Sequence, residues 1–598
     1  MRGRVILSAL ILEVSFALLT MSQKLFFVAL SLTVVPGIVE AAPIHAQQRV
    51  AQRSVKAVEK MAKIPVPLTV RSWADLSRAY YERVLDPHAQ GDSFPVVRIL
   101  PDEAGFHIKS YLGGGYDTEV FSALLSVIGS KLVGLDPQNF KGVNYVERAK
   151  AWYDPTLGIY RHRVGERGPV VHADIYGYWP AIQGLMLAAQ YPRDAEFAHQ
   201  AQTTFEAFND IARGCGCPDR ANFDTLGWNF EKRRAEGRPE PMNRLGNAPS
   251  VAWVLMVGAQ QMGNAEMLAN ARAAMQWYAQ HPGRYEISHV MGPLTAARLN
   301  VQEGAEPIDM DRVLAAWFGD GPGERCSWGI TTGTRINGMT CDGLDGAKWE
   351  NNGFYAFTMG TLQGPAWLVP VVRYDQRYAR AIARYALNAA NSARLLQGEG
   401  VNEEHQDHAL WKAKWDKNNT FFYEGLASQG PGNAEGLKPY ARGDVVLNGW
   451  GAGHARVPGD QYVQQRREWF GNTPGNLALY MGSSVGFLGG IMKQTEVPGV
   501  LRWDCTATDW FHPPAYPTHL YYNPFARLQT VRLDLAEKVD LYNTVTGRFV
   551  ARGARSGFRL RLQAEEAAVL VQVPRGAHLE RRKGHLLADG IVIDYRNG

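Results

Sequence analysis

The sequence predicts a mainly α protein: an (α/α)6 toroid, or barrel, followed by a small C-terminal antiparallel β-sandwich domain. Two observations carry this. Through the middle of the chain, helices apolar on nearly every side alternate with helices apolar on one side only, between short Pro and Gly stops. A double ring satisfies that alternation, because inner helices are buried all round and outer helices bury one face. From about Tyr516 the period changes to short alternating strands. The structural rival, a solenoid of helical repeats, would need a fixed repeat period, and none is visible.

The totals fit a large globular protein. The chain has 598 residues, 46% hydrophobic and 20% charged, enough for a sizeable core. A net charge of +5 with no concentrated Lys/Arg tract excludes a nucleic-acid footprint. The 11% aromatic share suits stacking on sugar rings, and equally suits internal packing.

Residues 1–42 read as a targeting segment. The apolar runs Val5–Leu19 and Leu25–Val39 flank Met21-Ser-Gln-Lys24. Lys24, the second run and the small residues near Ala41 form a signal peptide, with Met21 as a candidate true start. A pair of membrane spans is the rival reading, but both runs are short for a span. The mature chain is then periplasmic or secreted, with no stable span after cleavage. Cysteines number five, and an oxidising compartment permits a Cys326–Cys341 bridge.

Residues 43–515 form the predicted barrel. Gln47–Lys63 reads as an amphipathic helix, and 64–116 as irregular, with Pro65, Pro67, Pro95 and Pro101. Asp117 and Thr118 sit where a cap belongs, before Val120, Leu124, Val127 and Ile128 at helical spacing. Helices follow over Asp174–Gln190, from Asp194 (Phe197, Ala201, Phe205, Phe208), over Val251–Met262, from Asn264 to Pro282 and over His289–Leu299. The long Gly-rich connection from Gly319 shows neither helical nor strand periodicity and ends on Trp349-Glu350-Asn351, where a helix is expected to begin. Loops of this length are mostly functional or disordered, and the Trp residues favour function. Further helices are expected over Phe354–Val369, after Asp375, near 404–415 and over 475–492, where Gly482, Gly486 and Gly490 would admit a very close neighbour. Residues 516–598 form the predicted sandwich, from the alternation of Val531, Leu533 and Leu535, the segments Val539–Tyr542 and Arg548–Val550, the alternation of Phe558, Leu560 and Leu562, and the run Ala567–Val573.

Carboxylates stand beside aromatics at five places: Tyr116-Asp117-Thr118-Glu119; His172-Ala-Asp174-Ile-Tyr176-Gly-Tyr178-Trp179; Trp349-Glu350-Asn351; Phe421-Phe422-Tyr423-Glu424; and Thr508-Asp509-Trp510-Phe511-His512. Taken singly, each is explained as readily by helix capping, since acidic residues favour a helix's first turn. Together they point to one acidic, aromatic cleft. Glycoside cleavage needs two carboxyl groups, one to protonate the leaving oxygen and one to activate water or attack carbon.

The helical-hairpin series, the export signal and the β tail resemble the six-hairpin glycosidase group. So do the stretches Ala507-Thr-Asp-Trp-Phe-His-Pro-Pro-Ala-Tyr-Pro-Thr-His-Leu-Tyr-Tyr-Asn-Pro524 and Asp540-Leu-Tyr-Asn-Thr-Val-Thr-Gly-Arg-Phe549. The resemblance implies carbohydrate chemistry and an exported glycoside hydrolase acting on a poly- or oligosaccharide. Among the residues, Asp174 and Glu350 are the expected acid/base pair, with Asp117 and Glu119 in reserve. Tyr116, His172, Tyr176, Trp179, Trp349, Tyr423, Glu424, Asp509 and Trp510 are the expected sugar-contacting residues. The alternatives are a polysaccharide lyase using His172 and Tyr176 beside a uronate, and a non-catalytic glycan-binding protein. No cofactor or metal is expected: His405-Gln-Asp-His408 has no third ligand, and no nucleotide-binding glycine loop is present.

Overall fold

The computed structural model describes residues 48–596, except 102–104, 117–119, 173–175, 226, 237–246, 285, 288, 303, 305, 320–327, 349–353, 404–405, 407, 428–439, 443–473 and 475–476. Residues 1–42, expected to be a signal peptide, therefore lie outside the described residues.

Helices apolar on every side must be surrounded by protein, and the main helices sort on that rule. In chain order, α1 spans Trp73–Val84, α2 Val120–Leu132, α3 Tyr145–Ala149, α4 Tyr178–Gln190, α5 Ala195–Gly214 and α6 Asn247–Met262. Then come α7 at Ala265–Gln280, α8 at Gly292–Asn300, α9 at Met310–Phe318, α10 at Thr358–Leu368, α11 at Ala379–Ser392 and α12 at Val485–Ile491. The even-numbered helices touch in a closed cycle: α2 packs on α4, α4 on α6, α6 on α8, α8 on α10, α10 on α12, and α12 back on α2. Every residue of α10 is buried. The odd-numbered helices lie outside: α1 covers α12 and α2, α3 covers α2, α5 covers α4 and α6, α7 covers α6 and α8, α9 covers α8, and α11 covers α10.

Local chemistry starts several of the outer helices. Asp194 accepts from the backbone N–H of Glu196 and Phe197, Asn264 from Glu266 and Met267, and Asp309 from Arg312, each filling orphaned donors of a first turn. The expected glycine contact is present. A Cβ on Gly486 would lie 2.4 Å from the Gly129 carbonyl oxygen, so α12 and α2 meet backbone to backbone. Ser126 and Ser483, one turn earlier on each side, share a hydrogen bond at 2.9 Å.

Several expectations need correction. The amphipathic segment 47–63 is helical only over Lys56–Glu59. The stretch expected to be irregular, 64–116, holds α1, with Trp73, Leu76, Tyr80 and Val84 buried at helical spacing. The Gly-rich connection holds strands, which short Gly-containing segments hid from a periodicity reading. β1 (Trp328–Ile330) and β2 (Asp345–Lys348) join β3 (Phe354–Phe357), β4 (Gly425–Ala427) and β5 (Tyr440–Arg442) in one antiparallel sheet of order β5-β4-β3-β2-β1. Residues 349–353 therefore link β2 to β3, and the next helix begins at Thr358 rather than at Glu350. Cys341 is a free, buried thiol, and Cys326, the other half of the permitted bridge, lies outside the described residues.

The β region begins before Tyr516, at β6 (Met492–Gln494) and β7 (Leu501–Asp504). It continues through β8 (Thr518–Tyr522), β9 (Gln529–Arg532), β10 (Val539–Asn543), β11 (Arg548–Ala554), β12 (Arg559–Leu562) and β13 (Ala567–Pro574). The main antiparallel sheet has the order β6-β7-β8-β13-β10-β11. One face, with Tyr521, Leu541, Ala568 and Leu570, packs under the β9–β12 pair and its Val531, Leu560 and Leu562. From the other face Leu520, Tyr522 and Val569 join the helical core, with α11 against β8 and β13. A three-stranded end piece, 579–594, covers Tyr542, Val571 and Val573.

Candidate functional site

The two ends of the helical ring differ. The segments leading into α2, α10 and α12 are knitted together. Leu112 N–H donates to the Leu477 carbonyl at 2.9 Å, Leu479 N–H to Ser110 at 2.8 Å, Ala478 N–H to Phe422 at 3.0 Å and Thr358 N–H to Glu424 at 3.1 Å. The last turns of α8 and α10 instead meet the segment 508–511. Arg298 near the end of α8 donates to Gln260 of α6, to Asp509 at 3.2 Å and to the carbonyls of Trp510 and Phe511, while Thr508 donates to the Ala366 carbonyl of α10 at 2.6 Å. Because α10 belongs to both sets, helix starts and helix ends mark opposite mouths of the ring.

The helix-end mouth is plugged. Asp509 is fully buried and holds Arg298, Arg373 and the Tyr374 hydroxyl, the last at 2.7 Å. Trp510 is buried against Phe487 of α12. The expectation that Asp509 and Trp510 contact sugar is therefore corrected: they close the far end of the ring. Sequence placed them beside aromatics but could not say at which end.

At the helix-start mouth the chain brings several polar groups together. Glu424, 2% exposed, accepts a hydrogen bond from the Tyr480 hydroxyl at 2.7 Å. The Tyr111 ring stands edge-on to Tyr480 at 5.5 Å. Beside the first turn of α2, Tyr176 packs edge-on against His162 at 4.9 Å, and Phe121 tilts against both. Burial pushes the His162 pKa down to about 4, against a weaker pull upward from Glu166. Tyr116 donates its hydroxyl to the Pro95 carbonyl at 2.8 Å, and Lys109 lies over its ring. Asp345 of β2 is buried in an ion pair with Arg284 and donates its own backbone N–H to the Thr361 hydroxyl oxygen at 2.9 Å. That hydrogen bond ties β2, which ends two residues before Glu350, to the first turn of α10.

The remaining expected residues divide. Asp117, Glu119, Asp174, Trp349 and Glu350 lie outside the described residues, so their side chains are not placed. In sequence, Asp117 and Glu119 immediately precede α2, Asp174 stands four positions before α4, and Glu350 precedes α10. His172 ends a strand paired with Gly227. Two aromatics turn out to be packing residues. Trp179 is 1% exposed and meets Trp367 at 6.1 Å, which in turn meets Trp253 at 5.6 Å, inside the ring. Tyr423 is buried, with His408 stacked on its ring at 6.4 Å and Lys412 above it. An aromatic at a helix start can turn to the mouth or to the axis, and neither spacing nor composition tells which.

No protein-family model and no curated protein matches the sequence. Among solved structures, the chain is similar to GH127 β-arabinofuranosidases. One is the β-L-arabinofuranosidase Ara127N from Geobacillus stearothermophilus T6, with 13% identity over 88% of this chain and 85% of that one, at a TM-score of 0.36. A second GH127 β-arabinofuranosidase shares 12% identity over 91% of this chain and 84% of that one, at a TM-score of 0.30. At such scores the likeness assigns no residue a role.

His162, Tyr111 and Tyr480 were missed from sequence. His162 follows a two-residue strand, and Tyr480 comes from a segment more than 50 positions after Glu424, so only the closed ring brings these groups to one mouth. Among the described residues no group of three His, Cys, Asp or Glu is placed to hold a metal ion, and no helix is long and apolar enough to cross a membrane.

Proposed function

We propose that this protein is an exported glycoside hydrolase that cleaves a poly- or oligosaccharide by carboxylate acid/base chemistry. In this reading the helical ring is an (α/α)6 barrel and the C-terminal strands form a sandwich packed on it. The supporting observation is the asymmetry of the ring. One mouth is filled by Asp509 with its two arginines, while the other collects Glu424, Tyr480, Tyr111, His162 and Tyr176. Asp174 and Glu350 are the proposed acid/base pair, with Asp117 and Glu119 as the next candidates, because each precedes an inner helix whose start belongs to that mouth. Burial among aromatics raises a carboxyl pKa, which suits the acid partner, and the tyrosine hydroxyls offer hydrogen bonds to sugar hydroxyls. Residues 1–42 would direct the chain to the periplasm or outside the cell.

The test is a reducing-end assay of residues 43–598 on a panel of bacterial and plant glycans, read in parallel for unsaturated uronates. New reducing ends without unsaturation, abolished by Asp174→Asn or Glu350→Gln, would support hydrolysis. Unsaturated products would overturn it in favour of elimination at His172 and Tyr176. Glycan binding without turnover would leave a binding protein.

A further inference from the structure

The C-terminal sheet carries a charged row that nothing in the proposed hydrolysis uses. Lys493 on β6 lies directly opposite Arg502 on β7, and Arg502 directly opposite Tyr521 on β8. The three side chains therefore share one face. Like charges directly opposite on neighbouring antiparallel strands repel, so this pairing needs a counter-charge. Across a gap stand Arg532 at the end of β9, Asp534 just beyond it, and Ser556 before β12. With Glu496 they enclose a cleft of about 500 Å³.

The internal pairing is incomplete. Asp534 takes Lys493 at 3.5 Å and the Ser556 hydroxyl at 3.2 Å, and Glu496 accepts from the Arg532 backbone N–H. The guanidinium groups of Arg502 and Arg532 make no ion pair or side-chain hydrogen bond with a described residue, and neither does the Tyr521 hydroxyl. Tyr521 is otherwise buried, at 4% exposure, and lines the cleft. Two uncommitted guanidinium groups call for an anion, which they bind in forked geometry. The cleft is far larger than one small ion needs, and lies within the range of about 300–1,000 Å³ typical of ligand sites. Its two carboxylates would repel a bare multivalent anion but accept hydrogen bonds from hydroxyl groups.

We propose that this cleft binds an acidic saccharide, with its carboxylate or sulfate on Arg502 and Arg532 and its hydroxyls on Glu496 and Asp534. The site is separate from the ring mouth and stands whether or not the mouth hydrolyses glycans.

Calorimetric titration of residues 43–598 tests it, with an oligogalacturonate, a sulfated galactan oligosaccharide and a neutral cello-oligosaccharide of equal length. The expected result is binding of at least one acidic oligosaccharide and not of the neutral one, and whichever binds identifies the anion. Arg502→Gln with Arg532→Gln should lower that affinity at least tenfold without changing the melting temperature, whereas Asp174→Asn should leave it unchanged. If the double variant does not fold, the exposed Arg532→Gln alone should still weaken binding severalfold. Equal binding of the neutral oligosaccharide, no binding of either acidic one, or full affinity in the arginine variants would overturn the proposal. Loss of binding in Asp174→Asn would move the ligand to the mouth and overturn it as well. Turnover measured on the same samples reports separately on the hydrolase reading.

Discussion

Tyr480 donates its hydroxyl to Glu424 over 2.7 Å, and both side chains are buried where the segments leading into α10 and α12 meet. A buried carboxylate keeps its charge only while donors satisfy it. Tyr480→Phe removes that donor and keeps the ring. We expect a loss of about 1–3 kcal/mol in urea unfolding, the usual penalty for a buried group deprived of a partner. If the mouth binds glycan, KM should rise more than kcat falls.

Asp174→Asn and Glu350→Gln should each lower kcat by about 10²–10⁴, the contribution of a positioned general acid or base. The melting temperature should stay near that of the parent. Full turnover in either variant would remove that residue from the pair and bring forward Asp117 and Glu119.

Asp509 makes a contrasting case. Removing it leaves Arg298 and Arg373 buried without their counter-charge. Breaking a buried ion pair from one side costs about 3–5 kcal/mol. Asp509→Asn should therefore unfold at markedly lower urea. Its residual folded fraction should turn over substrate normally, which a sugar-contacting role would not allow.

Gly486→Ala tests the backbone contact between α12 and α2. The new Cβ would come 2.4 Å from the Gly129 carbonyl oxygen, and neither backbone can give way as a side-chain tip would. Overpacking of this kind costs about 1–3 kcal/mol. A thermal melt indistinguishable from the parent would show that the two helices are not so close.

His162 gives the acid limb of stability. Its folded pKa is depressed to about 4 from 6.5, so the unfolded chain binds the proton more readily. Stability from this group is unaffected above pH 6.5 and falls as pH drops towards 4. The pKa difference corresponds to roughly 3 kcal/mol. His162→Asn should flatten the slope of unfolding free energy between pH 7 and pH 4.5. An unchanged slope would mean that the imidazole is solvated.

The alternation of all-round and one-sided apolar helices was legible because burial is written directly into side-chain polarity. Val251–Met262 reads as an inner helix and packs as one, and Asn264 reads as a cap and caps α7. Gly486 announced a close neighbour, since only a missing side chain lets backbones touch. The strands of the C-terminal region showed the same way, in the alternation of Val531 with Leu533 and in the apolar run Ala567–Val573. Helix α1 was legible too, at Trp73, Leu76, Tyr80 and Val84, but the prolines on either side masked it.

What sequence alone determined was which surfaces must be buried, because that depends on each residue and its near neighbours. Tertiary structure decided which end of the ring Asp509 and Glu424 occupy. Asp509 and Glu424 look alike in sequence, each an acid among aromatics. One lies among buried arginines beyond the helix ends and the other beneath Tyr480 at the helix starts. The partners that separate them come from segments 56 to 211 residues away, and chain closure, not local pattern, brings those segments together.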